Sequence, residues 1–152
     1  ARRISDLVRR RNAEGRTTVL GLATGHTPLN VYRELARLHR DEGLDLSRVV
    51  TFNLDEYWPV APAALQSYHA WMQENFFKYV NIKQENIHIP SGTVSEADLP
   101  AHCRAYEKAI AEAGVSRGVS SFEARKPSTC PRLPRMSQAS KRASQSRSSA
   151  AV

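Results

Sequence analysis

Two apolar runs separated by one amphipathic helix limit what this chain can fold into. Thr17–Leu22 and Arg48–Asn53 are rich in β-branched, aliphatic and aromatic residues. Nearly continuous runs of this length suit parallel strands covered on both faces. Between them, Leu29, Tyr32, Leu35, Ala36 and Leu38 recur at helical spacing. Pro28 fits the first helical position, where its missing N–H costs nothing, and Thr27 fits the N-cap before it. The helix runs to about Arg40, and Asp41-Glu42-Gly43 breaks it. Strand, helix, strand is a βαβ unit, so the class is α/β.

Both strands end in unusual loops. After the first comes Ala23-Thr-Gly-His-Thr27, a turn of small and hydroxyl residues that leads into the helix. A helix amino terminus presents free N–H groups and the positive end of the helix dipole, which suits an anion. Thr24, Gly25, His26 and Thr27 are the candidate phosphate ligands. The turn contains neither GxxxxGK[ST] nor GxGxxG, so it is not a Walker or dinucleotide loop. The alternative is a tight turn with a threonine cap. After the second strand comes Asn53-Leu-Asp-Glu-Tyr57. Ligands of open α/β sheets lie beyond the carboxyl ends of strands, and these two loops should open on the same side. Adjacent residues rarely point the same way, so Asp55 and Glu56 are not a symmetric pair. One enters the pocket as a general base beside a carbonyl, and the other orients it. The alternative is a pair of solvated loop acids. No histidine or cysteine shows zinc-like spacing to them, so no metal is expected.

Residues 2–12 form a short basic amphipathic helix, set apart as residues 1–16, and Trp58–Pro62 is a turn or lid-like excursion. Ser67–Tyr79 reads as a helix whose aromatic stripe, Tyr68, Trp71, Met72, Phe76 and Tyr79, packs into the core. Asn86–Pro90 is a short strand, and Ala101–Ala113 a helix with Gly114 as its cap. A further buried strand should follow, and none is legible. The net charge of +7 belongs to this last part. Residues 1–114 carry fourteen Lys or Arg and fourteen Asp or Glu, while 115–152 carry eight and one. The segment 115–152 is Ser/Arg-rich, with Phe122 as its only aromatic, and reads as disordered. It lacks the interleaved aromatics and regular Lys/Arg spacing of a specific nucleic-acid surface. Cys103 and Cys130 do not make a disulfide scaffold, so reduced thiols and a cytoplasmic location are expected. No apolar run is long enough for a transmembrane helix.

Leu22–Leu29 and Val49–Tyr57 together resemble the glucosamine-6-phosphate deaminase/isomerase family. Gln66-Ser-Tyr68, Glu74-Asn-Phe-Phe77, Glu85–Ile89 and Cys103–Lys108 extend the resemblance across residues 17–114, about the amino-terminal half of a family catalytic domain. It implies an open, Rossmann-like sheet. It also implies conversion of glucosamine 6-phosphate and water into fructose 6-phosphate and ammonia, without a cofactor. Thr24, Gly25 and Thr27 would lie in the phosphate turn. Asp55 would move a proton between C2 and C1 of the sugar, and Glu56, Tyr57 and Asn53 would shape the pocket. His26 stands where many members have a small residue, which marks a subgroup or an altered phosphate or sugar preference. The sugar phosphate is the expected partner, and a homo-oligomer stays open.

After Gly114 the family's glycine-rich Asp-Gly-His segment is replaced by Val115-Ser-Arg-Gly-Val-Ser-Ser-Phe-Glu-Ala124. The break reads as a shifted reading frame or a splice or assembly artefact. The expectation is a partial, marginally stable domain with negligible deaminase activity alone. A non-catalytic sugar-phosphate binder is the competing reading.

Overall fold

The computed structural model describes residues 1–114. The Ser/Arg-rich segment 115–152, and with it the expected disorder, lies outside the described residues.

Helix α1 (Arg2–Ala13) leads into β1 (Thr18–Leu22), then α2 (His26–Glu42) and β2 (Val49–Asn53). Helix α3 (Tyr68–Asn75), strand β3 (Ile87–His88) and helix α4 (Leu99–Glu112) follow. The sheet has the order β1-β2-β3 and is parallel throughout. Leu22 pairs with Asn53 at the carboxyl ends. The Leu54 N–H then donates to the Leu22 carbonyl (3.1 Å). The two site loops therefore leave the sheet side by side, as the sequence requires.

Thr18, Leu20 and Leu22 of β1 share one sheet face with Val49 and Thr51 of β2 through their register. All five are buried. Leu20, Leu22 and Val49 join Tyr32, Leu35 and Leu38 of α2 and Met72 of α3 in one core cluster. The same cluster holds Val8 of α1, Leu44 and Leu46. α1 thus packs on the same core through Val8. It is tied further by the Asn12 side-chain amide, which donates to the Asp45 carbonyl (2.8 Å). An exposed ion-pair cluster of Arg9, Arg37, Glu34 and Glu42 joins α1 to α2. Such surface pairs contribute little each.

The aromatic stripe divides. Met72, Phe76 and Phe77 are buried, whereas Tyr79 is 53% exposed. The expected helix 67–79 ends at Asn75, and a single 3-10 turn, Phe77–Tyr79, completes it. The Tyr32 ring stacks on Phe76 (centroids 4.8 Å), and its hydroxyl donates to the Ala23 carbonyl. One side chain thereby fastens the first site loop to the α2–α3 core. On the opposite sheet face Phe52 stacks on His88 (4.5 Å) and meets Tyr106 of α4 edge-on (5.7 Å). Tyr106 donates to the Asn53 and His88 carbonyls (2.9 and 3.0 Å). Cys103 is buried on α4, and the second cysteine, Cys130, lies outside the described residues. No helix among the described residues is long and apolar enough to cross a membrane.

Candidate functional site

The turn after β1 is sharper than the sequence suggests. Helix α2 begins at His26, not Pro28, and its N-cap is Gly25 rather than Thr27. Gly25 has φ 112° and ψ −173°. This region is open almost solely to glycine. A glycine therefore lets the chain turn from strand into helix within three residues. Pro28 falls in the first turn, where no N–H is required by the helix. The amides of Gly25, His26 and Thr27 are left without an intrahelical partner. The first turn contains no acidic residue, so nothing offsets the positive helix end. Gly25→Ala is expected to cost about 1–3 kcal/mol through backbone strain, read as a lower midpoint in urea unfolding.

Thr24 and Gly25 are half-buried, whereas His26 and Thr27 are exposed. Thr24 faces the second loop, and the contact runs through a residue the sequence reading placed in the core stripe. The Tyr68 hydroxyl lies among Thr24, Tyr57 and Asp55, and all three act on its ionisation. The Tyr57 and Tyr68 rings lie 4.8 Å apart. Burial, then the neighbouring Tyr57 and Asp55, push Tyr68 up to about 12. It stays protonated and can donate.

The two acids have different surroundings. Glu56 is fully buried. One carboxylate oxygen accepts from the Tyr57 N–H (2.8 Å) and the Tyr68 N–H (2.9 Å). The other accepts from the Ser67 hydroxyl (2.8 Å), the His69 N–H (3.1 Å) and His69 Nδ1 (3.1 Å). Since an ionised carboxylate only accepts, His69 Nδ1 carries the proton. Burial opposes the charge on Glu56, but His69, the two backbone amides and Ser67 outweigh it and hold its pKa below the usual value. With its lone pairs engaged, Glu56 clamps the start of α3 to the loop. Asp55 is half-buried, and burial followed by the charge of Glu56 raises its pKa. A carboxylate made more basic in this way is suited to taking a proton.

Asn53 is buried, and both polar atoms of its side chain lack a partner among the described residues. It ends β2 directly below the acidic loop. Beyond Tyr57 the chain docks on the segment after β3. Trp58 Nε1 donates to the Val94 carbonyl (2.7 Å), and the Val60 N–H donates to Gly92 (2.8 Å). A Cβ at Gly92 would lie 2.7 Å from the Tyr57 carbonyl and 2.6 Å from that of Val60. Only glycine fits there. Gly92→Ala is expected to displace the 57–60 loop and lower stability by about 1–3 kcal/mol, measured by urea unfolding.

The structure thus joins Thr24, Asn53, Asp55, Glu56 and Tyr57 at one sheet end, with Gly25, His26 and Thr27 at the adjoining helix start. The sequence reading missed Ser67, Tyr68 and His69 as parts of this place. A serine directly before a helix was the available signal, because an N-cap fixes where that helix begins. Among the described residues, no group of three His, Cys, Asp or Glu could hold a metal ion.

Residues 1–125 match the family of glucosamine-6-phosphate isomerases and 6-phosphogluconolactonases. The matched span takes in α1. A glucosamine-6-phosphate deaminase of Thermoanaerobacter sp. (strain X514) is 46% identical over 114 residues, which is 75% of this chain and 44% of that protein. Glucosamine-6-phosphate deaminase 2 of Giardia intestinalis is 51% identical over 114 residues, 75% of this chain and 41% of that protein. The chain therefore spans less than half the length of these relatives. Among solved structures, a monomeric glucosamine-6-phosphate deaminase superposes with a TM-score of 0.69 at 34% identity, covering 82% of this chain and 56% of that one.

Proposed function

We propose, for a chain that belongs to the glucosamine-6-phosphate isomerase/6-phosphogluconolactonase family, that its two loops form the phosphate and base half of a glucosamine-6-phosphate deaminase site. The observation that carries this reading is the junction at Tyr68. There the turn at the start of α2 meets the loop that holds Asp55.

In this reading the sugar phosphate sits on the free amides of His26 and Thr27, with the Thr24 and Thr27 hydroxyls and the His26 ring as further donors. The Asp55 carboxylate takes the proton from C2 of the open-chain amino sugar. The same proton returns to C1, which leaves an imine at C2. Water adds to that carbon and ammonia departs, so the product is fructose 6-phosphate. Oxidation at C2 is matched by reduction at C1, and no external electron acceptor is needed. Glu56 acts through position: it fixes Tyr57 and Tyr68 around Asp55. Asn53 offers its unpartnered amide at the floor of the site. The protein would work in the cytoplasm on a small-molecule partner, without a specific nucleic-acid partner.

The test is a chimera in which residues 1–114 replace the matched segment of the Thermoanaerobacter relative. It is expected to release ammonia from glucosamine 6-phosphate, and a folded but inactive chimera would contradict the proposal. The chain by itself is expected to release negligible ammonia, since it spans 44% of that relative. The second reading is a sugar-phosphate binder without turnover. Phosphosugar binding by a chain whose chimera stays inactive would select it.

A further inference from the structure

One backbone amide in the segment after β3 is held by a histidine rather than by a carbonyl. The Ser91 N–H donates to Nε2 of His102, on α4 (3.1 Å). A backbone N–H only donates, so Nε2 is the bare nitrogen and Nδ1 carries the ring proton. A charged imidazole has no bare nitrogen. The bond therefore exists only while His102 is neutral.

The chain has five histidines, and the others do not share this dependence. His39 Nδ1 faces the Leu44 carbonyl (2.7 Å), and His69 Nδ1 faces the Glu56 carboxylate (3.1 Å). Both nitrogens donate, so both bonds survive when the ring is charged. His26 is exposed, and His88 stacks on Phe52 (4.5 Å). Around His102 the titratable neighbours come from three elements. Tyr106 lies one turn on along α4, with ring centroids 6.4 Å apart. His88 lies on β3, and its carbonyl accepts from Tyr106 (3.0 Å). Glu96 and Asp98 stand just before α4, where the Asp98 carboxylate accepts from the Ser95 hydroxyl (2.6 Å). Residues 89–94 carry no charge.

The Ser91 amide is one end of a longer connection. The Gly92 carbonyl accepts from the Val60 N–H (2.8 Å), and the Val94 carbonyl accepts from Trp58 Nε1 (2.7 Å). The Tyr57 ring then meets Tyr68 (4.8 Å). α4 thus reaches the acidic loop through two short segments, 91–94 and 57–60.

We propose that His102 is a positioning residue for the site loop. Its bare Nε2 holds 91–94, and through it Tyr57–Val60, in place beside Tyr68, and protonation of that nitrogen releases them. Histidine is the side chain whose charge ordinarily changes between about pH 5 and 8, so the latch weakens on mild acidification. Its effect on ligand binding rests on the reading of Asp55 and Tyr57 as part of a sugar-phosphate site, and the latch itself does not.

The test follows the 15N-labelled 152-residue chain by NMR between about pH 7.5 and pH 5.5. Protection of the Ser91 and Val60 amides and of the Trp58 indole N–H, corrected for intrinsic exchange, should fall about tenfold, the worth of one hydrogen bond. Its midpoint should coincide with that of the His102 ring signals. His102→Gln places an uncharged acceptor at similar reach, and it should keep the protection at both pH values. His102→Ala should lack it at both. Glucosamine 6-phosphate should bind more weakly to the parent than to His102→Gln at the lower pH, and equally well at the higher. A His102 ring that titrates while 57–60 and 91–94 stay protected would overturn the proposal. The same acid loss in a folded His102→Gln variant would also overturn it, as would equal sugar-phosphate affinity of parent and variant at the lower pH. Coincident release in a chain that binds no sugar phosphate at either pH would uphold the latch and count against the deaminase reading.

Discussion

Asp55→Asn is expected to make the protein more stable and the chimera nearly inactive. The reason lies in the surroundings of Asp55, where burial and the Glu56 charge raise its pKa. A raised carboxyl pKa means that the folded chain holds this proton more tightly than the unfolded chain does. At neutral pH the ionised form therefore costs stability, and the cost disappears as pH falls through the ordinary carboxylate range. Asn removes the charge with little change in shape. The melting temperature at pH 7 should rise by on the order of a few degrees, and the gain should vanish by about pH 4. In the chimera the same change removes the group that takes the C2 proton, and kcat should fall by about 10²–10⁴. Calorimetry at both pH values and an ammonia assay check the pair of effects. A destabilised variant, or turnover close to that of the parent, would count against Asp55 as the base.

Glu56→Ala should have the opposite effect on stability. It removes an acceptor of five hydrogen bonds and leaves the Tyr57, Tyr68 and His69 amides and the Ser67 hydroxyl to find new partners. Stranding buried donors around a lost charge costs about 3–5 kcal/mol, a large part of the total for an ordinary domain. Glu56→Gln should cost nearly as much, because its NH2 group would face donors on either side. The sign with pH also reverses. The folded pKa of Glu56 is lowered, so its contribution is complete above the unfolded value of about 4.3. It is lost as pH falls through the lowered folded value. Urea unfolding at pH 7 and pH 3 should show a strong acid loss in the parent that is absent in Glu56→Ala. A variant within about 1 kcal/mol of the parent at pH 7 would show that Glu56 is not the clamp.

The parallel pair was legible because its strands are nearly continuous apolar runs, although the structure covers only one face of β1 fully, with Val19 half-buried and Gly21 exposed. Asn53 and the acidic loop followed from where a parallel strand must end. The start of α2 was misplaced by two residues because Thr27 and Pro28 form a conventional helix opening. Gly25 takes a conformation that allows the helix to begin earlier, and a single glycine does not announce its φ angle. Tyr68 was assigned to the core by its spacing with Met72 and Phe76. Helical spacing says which residues share a face, not which end of the face borders a ligand site. The separation of roles between Asp55 and Glu56 was harder still. Two adjacent acids look alike in sequence, and only the Ser67–His69 segment, eleven to thirteen residues on, determines which one is satisfied.

The central claim is that the turn before α2 and the loop holding Asp55 form one anion-and-base site. Titration of the 15N-labelled chain with glucosamine 6-phosphate tests it most directly, with inorganic phosphate and glucosamine as separate arms. Saturable shifts are expected at the His26 and Thr27 amides with both phosphate-bearing ligands. Shifts at Asp55 and Tyr57 are expected with the sugar phosphate, and glucosamine alone should produce neither set. Saturable binding that leaves His26 and Thr27 unmoved, or shifts there that glucosamine reproduces without its phosphate, would contradict the account.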